Sequence, residues 1–118
     1  MSDTEVHLKK FEKELAAGTV SLVLLAVMAA AHEPLYGYQI AKRLEHDADG
    51  VLAGKQSALY PVLRNLSAAE LLDTFMQPSE AGPPRRYYRI TPLGRKVLRE
   101  WATAWGSTRR FVDSILKE

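Results

Sequence analysis

The chain contains no cysteine, which excludes disulfides, thiolate metal sites and a cysteine nucleophile, and suits a reducing compartment. Histidine is scarce as well: His7, His32 and His46 stand far apart, without the i, i+4 spacing by which a helix presents a pair of metal ligands. There is no Gly-x-Ser-x-Gly, no glycine-rich phosphate loop and no acid/base pair beyond scattered carboxylates. An enzyme is therefore not expected, nor any metal or cofactor. Long apolar runs are missing too. The longest, Val20 to Ala31, is interrupted by Ser21 and falls short of the ~18 residues that a spanning helix needs. The acidic start Met1-Ser2-Asp3-Thr4-Glu5 lacks the basic region of a signal peptide. The expectation is a cytoplasmic protein that makes no use of a membrane.

Net charge is also small, +2, although the 118 residues are 25% charged and 47% hydrophobic, a composition that suits one soluble domain with a buried core. The charge is unevenly distributed. Residues 1–35 hold three basic and five acidic side chains, and residues 36–54 two and three; residues 55–95 hold six basic against three acidic, and 96–118 five against three. A local basic surface of this kind attracts a phosphate backbone through Coulomb attraction and counterion release. Solvated surface arginines would produce the same count.

The basic segment has internal order. From Ser57, Leu59, Val62, Leu63 and Leu66 recur at helical spacing and leave Tyr60, Arg64 and Asn65 for the other face, with Lys55 and Gln56 just ahead. With Ser57 as N-cap, Pro61 falls where the loss of its N–H costs about one hydrogen bond. Leu71 to Gln77 reads as a strand, Pro78 to Pro84 as a turn-rich, mobile loop and Arg85 to Ile90 as a second strand, with Tyr88 and Ile90 toward the core and Tyr87 and Arg89 away from it. A helix followed by a basic hairpin is the outline of a winged helix.

Ahead of that segment, residues 1–10 are polar and expected to fray. Phe11 to Ala31 is helical, turning from amphipathic to apolar on nearly every side, so its second half must be buried all round. Either a partner subunit or the core of a monomer could bury it. Pro34 breaks the helix, a short helix follows over Tyr36 to His46, Asp47-Ala48-Asp49-Gly50 ends it, and Val51-Leu52-Ala53 is a weak extended piece. Two short helices in succession, the second with a polar face, form a helix-turn-helix. From Pro92 to about Leu116 runs one long amphipathic helix whose stripe is Leu93, Val97, Trp101, Trp105, Thr108, Val112 and Ile115, flanked by Leu98, Phe111 and Leu116. Gly106 is a place where it could be interrupted. Burial against a partner's equivalent helix accounts best for this second stripe; folding back over Phe11–Ala31 of the same subunit is the alternative.

Three segments in register carry a family resemblance: Leu35 to Ile40, Ser57 to Leu63, and Gly82 to Gly94. Together they resemble the PadR family of bacterial transcriptional regulators over roughly residues 15 to 118. The short C-terminal region is similar to that of the compact branch, which has a single dimerisation helix. The resemblance implies a mainly α fold with a small β-hairpin: a winged helix-turn-helix flanked by N- and C-terminal dimerisation helices, acting as a homodimeric repressor on a palindromic operator. In this sequence Tyr36-Gly37-Tyr38 stands for the family's usual His-Gly-Tyr. Ser57, Leu59, Tyr60, Pro61 and Leu63 match the recognition helix, and Arg85, Tyr87 and Tyr88 match the wing strand. Glu70 departs from the glycine usual between helix and strand, which implies strain or a different exit there. Trp105, eleven residues after Gly94, occupies a position where some drug-sensing members line a cavity at the dimer interface with tryptophan.

The sequence is accordingly divided into a flexible N-terminus (1–10), a winged helix-turn-helix (11–91) and a dimerisation helix (92–118). Double-stranded DNA is the expected partner. Tyr60, Arg64 and Gln56 are the candidates for base or sugar-phosphate contacts, with Lys55, Ser57, Arg85 and Arg86 holding phosphates. Trp101 and Trp105 are the candidate ligand and dimer-interface residues, with a planar aromatic small molecule as effector; two tryptophans at helical spacing also serve as ordinary interface packing. The competing reading is a winged-helix module that binds another protein without specific DNA binding. A third is a small-molecule scaffold whose DNA affinity is incidental.

Overall fold

In the computed structural model, which describes residues 2–45 and 59–117, a long helix α1 (Asp3–Ala30) lies at the centre of the core. It starts earlier than the apolar pattern places it. The Ser2 hydroxyl accepts from the Glu5 N–H at 3.2 Å, and Asp3 and Glu5 put negative charge on the first turn, so capping extends the helix through residues expected to fray. α1 is long and apolar enough by composition to cross a membrane, yet its Leu24, Leu25 and Met28 are enclosed by the rest of the fold. Burial is nevertheless not all round. Leu22 and Val23 are only half-buried and Ala26 is exposed within the single chain.

After α1 come a two-residue strand β1 (Leu35–Tyr36), α2 (Gly37–Leu44), α3 (Leu59–Ala68), β2 (Leu72–Ser79), β3 (Gly82–Ile90) and α4 (Pro92–Leu116). The strands form an antiparallel sheet in the order β1-β3-β2. Tyr36, expected to begin the second helix, is extended instead, and with Leu35 it pairs with Tyr87 and Tyr88. Pairing with β3 holds this stretch extended up to the Tyr36 cap of α2, whose N–H donates to Gln39 Oε1 at 3.0 Å. The loop expected over Pro78 to Pro84 is shorter than the pattern implies. β2 runs to Ser79 and β3 starts at Gly82, leaving Glu80 and Ala81 to turn, with a register shift between Gln77 and Ser79. Pro83 and Pro84 are tolerated in β3 because they lie beyond the last β1 pair on one side and, on the other, fall where the β2 register is interrupted between Gln77 and Ser79.

Leu59, Leu63 and Leu66 of α3 and Tyr88 and Ile90 of β3 enter the core, as their periodicities predict. α3 ends in a Schellman motif: the Leu71 N–H donates to the Leu66 carbonyl and the Glu70 N–H to the Ser67 carbonyl, both at 2.9 Å. Glu70 itself has φ 65°, the left-handed geometry that glycine adopts most readily. α4 runs through Gly106 without interruption. Its first half, through Val97, Leu98 and Trp101, packs on the core of its own chain, and its second half leaves Phe111, Val112, Ile115 and Leu116 exposed, Leu116 by 76%.

Candidate nucleic-acid interface

Helical spacing turns Tyr60, Arg64 and Asn65 outward from α3, and all three are exposed. Tyr60 lies across α2: a Cβ built on Gly37 would stand 2.5 Å from the Tyr60 hydroxyl oxygen and 2.8 Å from its ring. Only a residue without a side chain lets the ring lie there.

Strand alternation then sorts the wing. Thr74, Met76, Arg86 and Tyr88 share one face, and Phe75, Gln77, Arg85, Tyr87 and Arg89 the other, since cross-strand partners lie on the same side. Arg86 donates to Thr74 Oγ1 at 3.3 Å. Arg86, Tyr60 and Arg64 all lie close enough to the Tyr88 hydroxyl to act on its ionisation. Burial pushes that hydroxyl above its ordinary value, the two guanidiniums counter the rise, and Tyr60 adds to it. Among the described residues neither Arg64 nor Arg86 enters an ion pair, and both side chains are exposed.

Thus α3 and one face of the wing bring Tyr60, Arg64 and Arg86 together. Arg85, grouped with Arg86 by sequence, is on the opposite face, its guanidinium 4.4 Å above the Tyr36 ring. Successive residues of a strand point to opposite sides, so Arg85 and Arg86 leave β3 on opposite faces. Lys55, Gln56 and Ser57, together with the Ser57 cap and the extended piece at 51–53, lie outside the described residues.

Sequence reasoning missed a row of aromatic rings on the outer wing face. Tyr36 meets Tyr87 edge-on at 5.3 Å and Tyr87 stacks on Phe75 at 5.7 Å. Arg89 sits over Phe75 at 5.5 Å while pairing with Asp73 at 3.7 Å. Alternation alone puts Phe75 and Tyr87 on one side; that Tyr36 joins them depends on β1, too short to read from a pattern.

A second feature lies between α1 and α4. A groove of about 530 Å³ is lined by Leu15, Gly18 and Leu22 on one side and Trp101, Trp105 and Thr108 on the other. Glu14 supplies its one charged side chain. Trp101 is half-buried against the core and Trp105 is 41% exposed, so both candidate tryptophans reach one cleft from different depths.

Residues 24–100 match the family model of the transcriptional regulator PadR-like family. The crystal structure of a PadR family transcriptional regulator from Eggerthella lenta superimposes with a TM-score of 0.81 at 30% identity, covering 96% of this chain and 95% of that one. A PadR-like transcriptional regulator from Bacillus cereus gives 0.72 at 26% identity, over 89% of this chain and 98% of the other. An uncharacterised protein of Lysinibacillus sphaericus is 28% identical over 82 residues, 70% of this chain and 75% of its own length.

Proposed function

The chain belongs to the PadR-like family of transcriptional regulators, and from that membership we propose that it is a homodimeric repressor that releases a palindromic operator when a planar aromatic effector enters the α1/α4 groove. As a member of that family it is a transcriptional regulator and not an enzyme. The observation that carries the DNA-contact reading is the convergence of the exposed Tyr60, Arg64 and Arg86 around Tyr88, the two arginines without an ion pair among the described residues. An exposed tyrosine accompanied by two exposed arginines suits the edge of a groove flanked by phosphates. Each subunit lays α3 in a major groove, with half-sites about 34–36 Å apart or a multiple of that. Lys55, Gln56 and Ser57, which precede α3 in the sequence, approach the backbone where the start of a helix favours anions.

Dimerisation is supported by the apolar surface that one chain leaves exposed: Phe111, Val112, Ile115 and Leu116 on α4, and Phe11 on α1. Pairing these helices brings the groove beside its symmetry mate, so a flat ligand stacks between indoles, each contact contributing about 0.5–1.5 kcal/mol beyond area burial. A ligand there alters the angle between the two DNA-binding units. The protein works in the cytoplasm, where its operator is.

The experiment is fluorescence anisotropy of labelled DNA from the protein's own upstream region at two salt concentrations, beside a scrambled duplex. Specific binding that falls steeply with salt supports the reading. The second reading, a protein-binding winged helix, is favoured by the net charge of only +2 and by Glu80 at the wing turn; equal, weak binding to both duplexes, and no enrichment from a random pool, would favour it. Tryptophan quenching by planar aromatic compounds with a parallel loss of DNA binding tests the effector. Quenching without that loss would make the groove an incidental binding site.

A further inference from the structure

We propose that Arg85 and Tyr36 form a clasp that fixes the wing against the helix-turn-helix unit, so that Arg85 serves DNA binding by positioning the wing instead of by holding a phosphate. The inference rests on the DNA-binding reading above, and its test separates the two.

β1 grips the wing at only two places, Leu35 with Tyr88 and Tyr36 with Tyr87. Beyond Tyr87 the wing is a two-stranded ribbon, a form that is marginal by itself in water. Arg85 is the next residue toward the tip on the same face as Tyr87, and it reaches back over the Tyr36 ring at 4.4 Å. The hold of β1 is thereby extended past its last ladder pair. Behind it the row continues through Tyr87 and Phe75 to Arg89, so Tyr36 is tied to both strands of the hairpin.

Tyr36 is well anchored on its other side. Its N–H is held by Gln39 of α2, and the next residue, Gly37, abuts Tyr60 of α3. One dipeptide therefore touches the wing through its tyrosine and the recognition helix through its glycine. The distance between Arg86 on the wing and Arg64 on α3, which must match the spacing of phosphates, is set through this point. Arg85 itself points away from the face that carries Tyr60, Arg64 and Arg86.

The test compares Arg85→Ala, Arg86→Ala, Tyr36→Leu and Tyr36→Phe in the full-length protein, using a duplex selected from a random pool. A direct phosphate contact contributes about 0.9 to the slope of log affinity against log salt. Arg86→Ala should lower that slope by about this amount. Arg85→Ala and Tyr36→Leu should each weaken binding about two- to fivefold, the range of an exposed cation–π contact, with the slope unchanged. Tyr36→Phe, which keeps the ring, should bind like the parent, and combining Arg85→Ala with Tyr36→Leu should cost little more than either alone. Amide hydrogen exchange without DNA gives the independent readout: Phe75, Gln77 and Tyr87 should exchange about two- to fivefold faster in Arg85→Ala and Tyr36→Leu. A lowered salt slope for Arg85→Ala, or unchanged exchange in the wing, overturns the clasp. Absence of DNA binding by the parent overturns the DNA reading, and exchange alone then decides the clasp.

Discussion

The Thr91 hydroxyl donates to the Glu70 carbonyl at 2.8 Å, joining the exit of α3 to the start of α4 across the base of the wing. The same oxygen accepts from the Gly94 N–H at 2.9 Å, capping α4, and the Thr91 N–H donates to the Leu71 carbonyl at 3.1 Å. α4 lines the groove and α3 carries Tyr60 and Arg64, so this corner joins one helix of the proposed effector site to the helix of the proposed DNA face.

Glu70 holds this corner in a left-handed conformation that disfavours a side chain. Glu70→Gly should therefore stabilise the protein by about 0.5–1 kcal/mol, the relief of the Cβ outweighing the greater freedom of glycine in the unfolded chain. Urea unfolding should show a higher midpoint at an unchanged slope.

Gly94 should tolerate no side chain at all. A Cβ there would overlap the Leu71 carbonyl and stand 2.8 Å from Ile90 Cγ1, and neither the backbone nor the packed isoleucine can move aside cheaply. Gly94→Ala is expected to cost about 2–3 kcal/mol, seen as a lowered midpoint in thermal or urea unfolding.

Gly37→Ala presents the contrasting case. Its Cβ would meet the end of the Tyr60 side chain, which is half exposed and can swing away. Stability should change by less than about 1 kcal/mol while DNA affinity falls about fivefold, comparable to Tyr60→Ala. The double variant should bind no worse than Tyr60→Ala alone, because both changes act through one ring.

Alkaline pH should reveal the burial of Tyr88. Its hydroxyl is raised above the ordinary tyrosine value in the folded state, so the unfolded chain loses this proton first. Stability is complete below the ordinary value and falls as pH rises from there toward the folded value. Unfolding midpoints measured across that range should fall less steeply for Tyr88→Phe than for the parent.

The sequence by itself determined what periodicity and punctuation govern. Leu59, Leu63 and Leu66 mark the buried side of α3, Tyr88 and Ile90 the buried side of β3, and Pro92 the start of α4, and these are the sides and boundaries observed. The family resemblance, which sets a glycine where this chain has Glu70, added the place at which the backbone turns left-handed. Such features are local, fixed within a few residues by the geometry of helix and strand. Tertiary structure decided which faces meet. The two residues of β1 have meaning only beside Tyr87 and Tyr88, far away in the chain. Arg85 and Arg86, neighbours in sequence, separate because one follows the sheet toward Tyr36 and the other faces Thr74. The stripe of α4 is one pattern in the sequence, yet Trp101 is used by its own core while Phe111 and Leu116 are left exposed, because the rest of the fold ends before the helix does. A hydrophobic period states that a face will be covered; what covers it depends on contacts between segments that no local pattern records.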